Sequence, residues 1–366
     1  MATAILTVNV SRRAVIVAGC LLAFVVVVVT GFAFWFYRGA AIASGEWHLR
    51  NIAVVLAEQT RQGMLTVDIA LRATAEDYRG RGEPARPLSD EALHARMRGR
   101  VAELPQLHAL LVTRRDGELT AHSSVFPAPQ ANYGDRDFFT VPRDGKGPRL
   151  FFGIPVKDRV TADWMHTLSR GVEDPQDRLL GVVTADIDVH YFQDIYRSLE
   201  LGPAGRVFLF RRDGVLLTSF PVEEAAIGRS FSAHALFGSA LPGAANGVLH
   251  TTGPLDDLPR LIAYHVLQDY PLVVGVSSTT DYILQNWRKQ SLHFAVGALG
   301  AACVILLATF LFARQLRVSA ELAGEVAESE LRWRSALEAA GHGVWDFDVP
   351  SGRVFCSQHY REILGH

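Results

Sequence analysis

The sequence predicts an α+β chain in which two membrane-crossing helices flank two tandem antiparallel-sheet modules. Three observations carry that expectation: two long apolar runs without a charged residue, a hairpin unit that occurs twice, and a proline-free helical stretch ahead of both copies. The 366 residues suffice for two or three domains. Lys and Arg number 36 against 38 Asp and Glu, net −2, so the composition offers no bulk attraction for nucleic acid.

The apolar runs cover residues 14–37 (AVIVAGCLLAFVVVVVTGFAFWFY) and 291–313 (SLHFAVGALGAACVILLATFLFA). A bilayer core needs ~20 apolar helical residues, which both runs supply. The first has a rival reading. SRRAVIV at Ser11–Val17 resembles a twin-arginine signal, and AIAS at Ala41–Ser44 offers a peptidase site. A signal peptide's apolar region is only ~7–15 residues. This run is longer and ends in the aromatic belt Phe34, Trp35, Phe36 and Tyr37, so an uncleaved anchor is expected. Residues 1–13 then form a cytoplasmic N-terminus. Arginines flank both ends of the runs and orient them only weakly by charge. Two of the three cysteines, Cys20 and Cys303, lie in the runs and Cys356 near the C-terminus, so the enclosed segment has no disulfide framework.

Residues 38–290 are too many for a loop and must fold. From 39 to about 79 no proline interrupts a helix on which Leu49, Ile52, Leu56, Met64, Val67 and Leu71 recur at helical spacing. The Gly/Pro-rich stretch RGRGEPARP breaks it. Ser89 then reads as an N-cap, with Leu88 and Leu93 placed for a hydrophobic staple. Leu93, Met97 and Val101 stripe the following helix, which Pro105 ends.

The hairpin unit comes next. LHALLVT, the turn RRDG and ELTAHSS predict a strand, a tight turn and its return. RVFLF, a second RRDG and VLLTSF predict the same. Asp-Gly between apolar runs is a strong hairpin signal, because Gly takes the positive φ that tight turns need. LFFGIPV, WMHTLSRGV and LLGVVTADI continue the first unit as further strands; GVLHTT, LIAYHVL and YPLVVGVSS continue the second. Two α+β modules of about five strands each follow one long helix.

The order of these elements resembles the double Cache family of extracytoplasmic sensors over nearly all of residues 38–290. The resemblance is carried by SDEALHARMRGRVAELPQLHALLVTRRDG, YGDRDFF, GIPVKDRVTADWMHTLSRGV, GVVTADIDVHYF and LVVGVSSTTDYILQNW. It implies a distal module at about 80–200 that binds a small molecule, and a proximal module at about 201–278 that passes a displacement to the membrane.

The candidate ligand residues come from three segments. YGDRDFF brings together Tyr133, Arg136, Asp137, Phe138 and Phe139, an apolar wall with placed charges. Arg136 can take a carboxylate through two parallel hydrogen bonds. Equally, Asp135 can cap a helix while Arg136 pairs with a carboxylate of the protein itself. In WMHTLSRG, strand alternation puts Trp164, His166, Leu168 and Arg170 on one face. That face either lines a pocket mouth or covers an exposed sheet. Asp186, ending an apolar strand, can receive an amino group or cap the next helix near Asp188. Amino-acid-binding double Cache sensors use an Arg, two following aromatics and an Asp on the last strand, and Arg136, Phe138, Phe139 and Asp186 occupy similar positions. The match departs where such sensors carry Trp-Tyr in place of Phe138-Phe139, and Tyr133 is spaced differently. The thirteen histidines show no metal-ligand spacing, and no cofactor is expected.

Beyond the second run, residues 314–340 read as a helical linker. Ala323, Val326, Trp333, Leu337 and Ala340 fit 3/4 spacing, interrupted by Glu330, as a short parallel coiled coil of a homodimer or as a single packed helix. Residues 341–366 resemble the opening of a PAS domain, through ESELRWRSALEAAGHGVWDFD, PSG and FCSQHYREILG. Only about a third of such a domain is there, so the expectation is an incomplete PAS start. The resemblance implies a cytoplasmic location for it, a periplasmic one for 38–290, and a two-pass inner-membrane receptor. No catalytic motif occurs in the 366 residues. The output implied by the resemblance is cyclic-di-GMP turnover by GGDEF or GGDEF–EAL domains; the alternative is a histidine kinase.

Overall fold

The computed structural model describes residues 11–80, 88–145, 150–157, 164–197, 199, 201–339 and 343–365. Most of the expected Gly/Pro break, residues 81–87, lies outside them, as do Ala340 and the first ten residues. The chain divides into two compact units. Arg38–Trp287 is one; Tyr37 and the residues before it, with Arg288 and those after it, make the other.

The elements of the larger unit follow helix α1 (Arg12–Gly80), which begins in the smaller one. Its buried positions Leu49, Leu56, Met64, Val67 and Leu71 recur every three, four or seven or so residues, which places them on one stripe. Helix α2 (Asp90–Glu103) starts at Ser89, whose Oγ accepts the Ala92 N–H at 3.2 Å. Leu93 and Met97 bury its inner face, and the helix stops before Pro105.

The first module contains β1 (Leu107–Arg114), β2 (Leu119–His122), helix α3 (Asp137–Arg143), β3 (Phe151–Phe152), β4 (Val156–Lys157), β5 (Trp164–Glu173) and β6 (Leu179–Ile187). Its sheet runs β2-β1-β6-β5-β3, with β4 paired to β5, and every described pair is antiparallel. Helix α4 (Val189–Arg197) leads to the second module: β7 (Arg206–Arg211), β8 (Leu216–Phe220), the short α5 (Leu241–Gly243), β9 (Asn246–Thr252), β10 (Pro259–Val266) and β11 (Leu272–Thr279). This sheet has the order β8-β7-β11-β10-β9. The last strand of each module thus inserts beside the first, and the two sheets share one topology. Both RRDG turns close with glycine at positive φ, 86° at Gly117 and 95° at Gly214.

One face of each sheet packs on α1. Leu110, Val112, Leu168 and Val183 of the first module and Val207, Leu261, Leu272 and Val274 of the second join the α1 stripe in a single buried cluster. Burying a leucine or valine contributes ~1.5–3 kcal/mol each, so this shared core fixes both modules on one helix. The opposite face of each sheet has its own smaller cluster.

After α6 (Thr280–Ile283), helix α7 (Gln285–Ala339) enters the smaller unit. Within that unit α1 and α7 meet closely: a Cβ at Gly19 would collide with the Thr309 side chain. Mean hydropathy reaches 2.9 in α1 and 2.4 in α7, and both helices are long and apolar enough to cross a membrane. Strands β12 (Trp345–Asp348) and β13 (Arg353–Cys356) form a hairpin, followed by α8 (Gln358–Ile363).

Candidate functional site

The site emerges from the face of the first sheet that turns away from α1. Register decides which residues lie there. Thr167 of β5 pairs with Asp186 of β6, which pairs with Ala109 of β1. In the adjacent row on that face, Ser169 pairs with Thr184 and Thr184 with Leu111. Directly paired residues share a face, so Thr167, Ser169, Thr184 and Asp186 form one polar patch, and all four are buried.

The loop after β2 and helix α3 cover this patch. Tyr133 donates its backbone N–H to the Gly117 carbonyl at 2.8 Å, which hangs the covering segment from the first RRDG turn. Tyr133, Phe138 and Phe139 then pack with Ala109, Leu111, Met165 and Val182 in one buried cluster. The Tyr133 and Phe138 rings lie 5.7 Å apart. At the far end of α3 the Pro142 carbonyl presses on Gly171 of β5. Asp137 is occupied by backbone: it accepts the Phe138 N–H and the Ile154 N–H, both at 2.7 Å. The second bond draws the chain after β3 over the patch, where a Cβ at Gly153 would collide with Thr167 Oγ1. Arg136 occupies the N-cap position of α3 without a side-chain cap bond. The N-cap position that the alternative reading gave to Asp135 is held by Arg136. Arg136 Nε is buried and has no hydrogen-bond partner among the described residues; nor have the hydroxyls of Thr167, Ser169 and Thr184. Such groups are rare in folded proteins, and each calls for an explanation.

The structure corrects the second segment. Trp164, His166, Leu168 and Arg170 share a face, as alternation requires, but it is the face turned to α1. Leu168 belongs to the cluster around α1. Arg170 donates to Asp68 of α1 at 2.8 Å, and Asp68 also accepts from Arg72. Asp68 is 5% exposed, so this ion pair between strand and helix is largely shielded from water. Trp164 stacks under Lys157, whose Nζ is 5.6 Å from the ring centroid. His166 is fully buried among apolar groups, and that burial lowers its pKa from 6.5 to about 4. Arg170 and Asp186 thus lie on opposite sides of the sheet, so Arg136, Trp164, Arg170 and Asp186 do not converge on one ligand as their chemistry suggested. Asp186 is inside β6 and the position ahead of α4 belongs to Asp188, so Asp186 is not that helix's cap.

The covered face brings together Tyr133, Phe138, Phe139 and Asp186 with three hydroxyls that composition did not single out, and Arg136 stands at the N-cap of the helix that covers them. Their signal was in the letters: Thr167 and Ser169 are the alternate residues of WMHTLSRG, and Thr184 shares its parity with Asp186.

A family model for a histidine kinase sensor domain, of the double-Cache type (dCache_1-like), matches residues 189–277. Among solved structures, the extracellular domain of rpHK1S-Z16, a histidine kinase by assignment, is 32% identical. The alignment covers 68% of this chain and 100% of that one, with a TM-score of 0.60. The ligand-binding domain of the Pseudomonas aeruginosa PAO1 amino-acid chemoreceptor PctC, in complex with GABA, is 16% identical over 64% of this chain and 99% of that one, at a TM-score of 0.47. That of the Pseudomonas fluorescens chemoreceptor CtaA with L-isoleucine is 14% identical over 68% and 98%, at 0.49. Comparison with curated proteins gave no match.

Proposed function

Because the chain belongs to the double-Cache-like family of sensor domains, we propose that it is the input part of a membrane receptor whose first module binds a small polar ligand between α3 and strands β5 and β6. One observation carries this reading. Three buried hydroxyls, of Thr167, Ser169 and Thr184, stand without a described partner beside the Asp186 carboxylate, with Arg136 Nε equally unpartnered. Leaving a buried polar group unbonded costs ~1–3 kcal/mol. A ligand with donors and acceptors of its own offsets those costs where hydrocarbon cannot. An ammonium group suits Asp186, a carboxylate suits Arg136, and the hydroxyls serve either. Amino acids and small amino-carboxylates are the class that fits.

In this reading both apolar helices cross the inner membrane and Arg38–Trp287 is periplasmic. Two copies pair through α1 and through α7 beyond residue 314, where Val326 and Trp333 are exposed on the single chain. Leu337 and Ala340 complete that stripe in sequence. The segment from 341 opens a cytoplasmic PAS domain, and the chain itself senses and transmits without catalysing. The output is a histidine kinase or a cyclic-di-GMP enzyme. The 32% identical relative favours the kinase; the PAS-like opening led to the other. A phosphoacceptor helix or a GGDEF motif in the same polypeptide separates them.

The test is a thermal-shift screen of the full chain in detergent against amino acids and small carboxylates. A ligand that binds only the folded state raises the melting temperature. Arg136→Ala should weaken such a ligand by ~1.5–3 kcal/mol, the usual worth of a hydrogen bond to a charged group, and Asp186→Asn should do likewise. No shift across the panel, or a shift that survives both substitutions, rejects the site.

A further inference from the structure

We propose that the buried junction around His166 is a second sensory site whose ligand is the proton. His166 points from the other side of the strand that carries the covered patch, and Thr167 and Gly153 at the margin of that patch also line its cavity. His166 is 6% exposed, and neither ring nitrogen has a hydrogen-bond partner among the described residues. The ring borders a cavity of about 10 Å³ where four parts of the larger unit meet: Met64 of α1, Ile187 of β6, Phe192 of α4, and Leu209 and Leu272 of the second sheet. A space of that size holds about one water, enough for one nitrogen of a neutral imidazole. An imidazolium has two N–H donors and a full charge, and apart from Thr167 and Gly153 these walls are hydrocarbon.

No charged group is among the residues that line the cavity. On α1 the charged neighbours one turn either side of Met64 are engaged elsewhere: Asp68 by Arg170 and Arg72, and Arg61 by Glu58 and Asp269. Arg170 of β5 is the partner of Asp68 already named. Asp186 of β6 faces the opposite side of the sheet. From α4 the described inward side chains are Phe192 and Tyr196, both uncharged. From β7, β8 and β11 they are Leu209, Leu217 and Leu272; Arg211 and Asp213, on the hairpin beyond, pair with each other. No described carboxylate is placed to stabilise the protonated ring.

Protonation therefore favours any arrangement that lets water reach His166. In such an opened junction the ring recovers an ordinary pKa of 6.5, against about 4 when closed. The open form binds more protons between those values, so acid shifts the balance toward opening as pH falls from 6.5 to 4. The shift is nil above that window and saturates below it, at up to ~300-fold. Between pH 7 and 5 it amounts to about 20-fold. The elements that would part are the long helix, the first sheet, α4 and the second sheet, so a proton and a ligand would act on one joint.

Hydrogen–deuterium exchange on the full chain in nanodiscs tests this without any ligand. After correction for intrinsic exchange, amides of Phe192–Tyr196, Leu209 and Leu217 should lose about 20-fold in protection between pH 7 and 5, as the linkage requires. His166→Phe and His166→Met, two apolar replacements that guard against one failing to fold, should both flatten that dependence. The ring of His166 itself, followed by carbon-detected titration, should stay neutral to below pH 5. A wild type without the pH dependence overturns the proposal. So does an unchanged dependence in the variants, or a His166 that titrates near 6.5.

Discussion

In the first sheet, Leu111, Thr184 and Ser169 stand in one row; in the second, Phe208, Gly275 and Tyr264 stand in the same place. The next row on that face reads Ala109, Asp186 and Thr167 in the first sheet and Arg206, Ser277 and Ile262 in the second. The covering segments also correspond. Tyr133 bonds the Gly117 carbonyl and Phe231 the Gly214 carbonyl, each at 2.8 Å. Tyr133–Phe139 (YGDRDFF) thereby aligns with Phe231–Phe237 (FSAHALF). The second module fills its space with its own side chains. Phe210 stacks against Phe208, Phe231 and Phe237, and Tyr264 donates its hydroxyl to the Ala240 carbonyl. Ser277 accepts from Arg260, which holds Asp256. One topology thus supports two ends: a face closed largely by aromatic packing and internal hydrogen bonds, with Arg206 Nη1 as its one buried nitrogen without a described partner in these two rows, and a face that keeps three hydroxyls without described partners. What separates a binding module from a structural one is the choice of residue at a few inward positions, with the backbone the same.

Three substitutions sharpen or break this contrast. The largest effect belongs to the closed face. Phe210 is fully buried, and Phe210→Ala should cost ~3–5 kcal/mol in chemical denaturation. A loss under about 1 kcal/mol would mean that the second face is not packed as described. The intermediate effect concerns the two RRDG turns. Arg211 is 15% exposed, donates to the Phe152 carbonyl of the first module at 2.8 Å and lies 5.8 Å from the Phe151 ring. Arg114, its counterpart, is 51% exposed and pairs with Asp116 and Glu118 of its own turn. Arg211→Ala should therefore lower stability by ~1.5–3 kcal/mol, and Arg114→Ala by less than about 1 kcal/mol. Equal losses would dissolve the distinction between the turns. The smallest effect has the opposite sign. Thr184→Val replaces an unpartnered buried hydroxyl by a methyl of like shape, and stability should rise by ~0.5–1 kcal/mol while ligand response weakens. Destabilisation by Thr184→Val would show that the hydroxyl has a partner in the protein, and the open face would then not be open.

Much of this architecture could be read from the letters, because its signals are local. Ser89 caps α2 through its own Oγ, and Asp-Gly closes both hairpins with glycine at positive φ. The apolar runs needed only length. The candidate site was half legible. YGDRDFF announces aromatic and charged groups together, and Asp186 stands out at the end of an apolar strand. Alternation grouped His166 with Arg170 correctly but could not say which face meets α1, since both faces of a central strand in a two-sided module are buried. The long-range pair of Arg170 with Asp68 decides that, and nothing near either residue in the sequence advertises it. Thr167, Ser169 and Thr184 escaped notice for a simpler reason: hydroxyl residues are ordinary in strands, and their lack of partners exists only in three dimensions.

The difference between the two turns also bears on where this polypeptide can be cut and rejoined. Arg115 and Asp116 lie exposed at the tip of the first turn, where Asn132 Nδ2 donates to the Asp116 carbonyl at 3.3 Å, while the second turn is riveted to the other module through Arg211 and the Phe152 carbonyl. Exposed tips of this kind are where chains accept foreign sequence. A fluorescent protein or a protease site spliced between Arg115 and Asp116 should leave a folded molecule. The same insertion between Arg212 and Asp213 should pry the two modules apart.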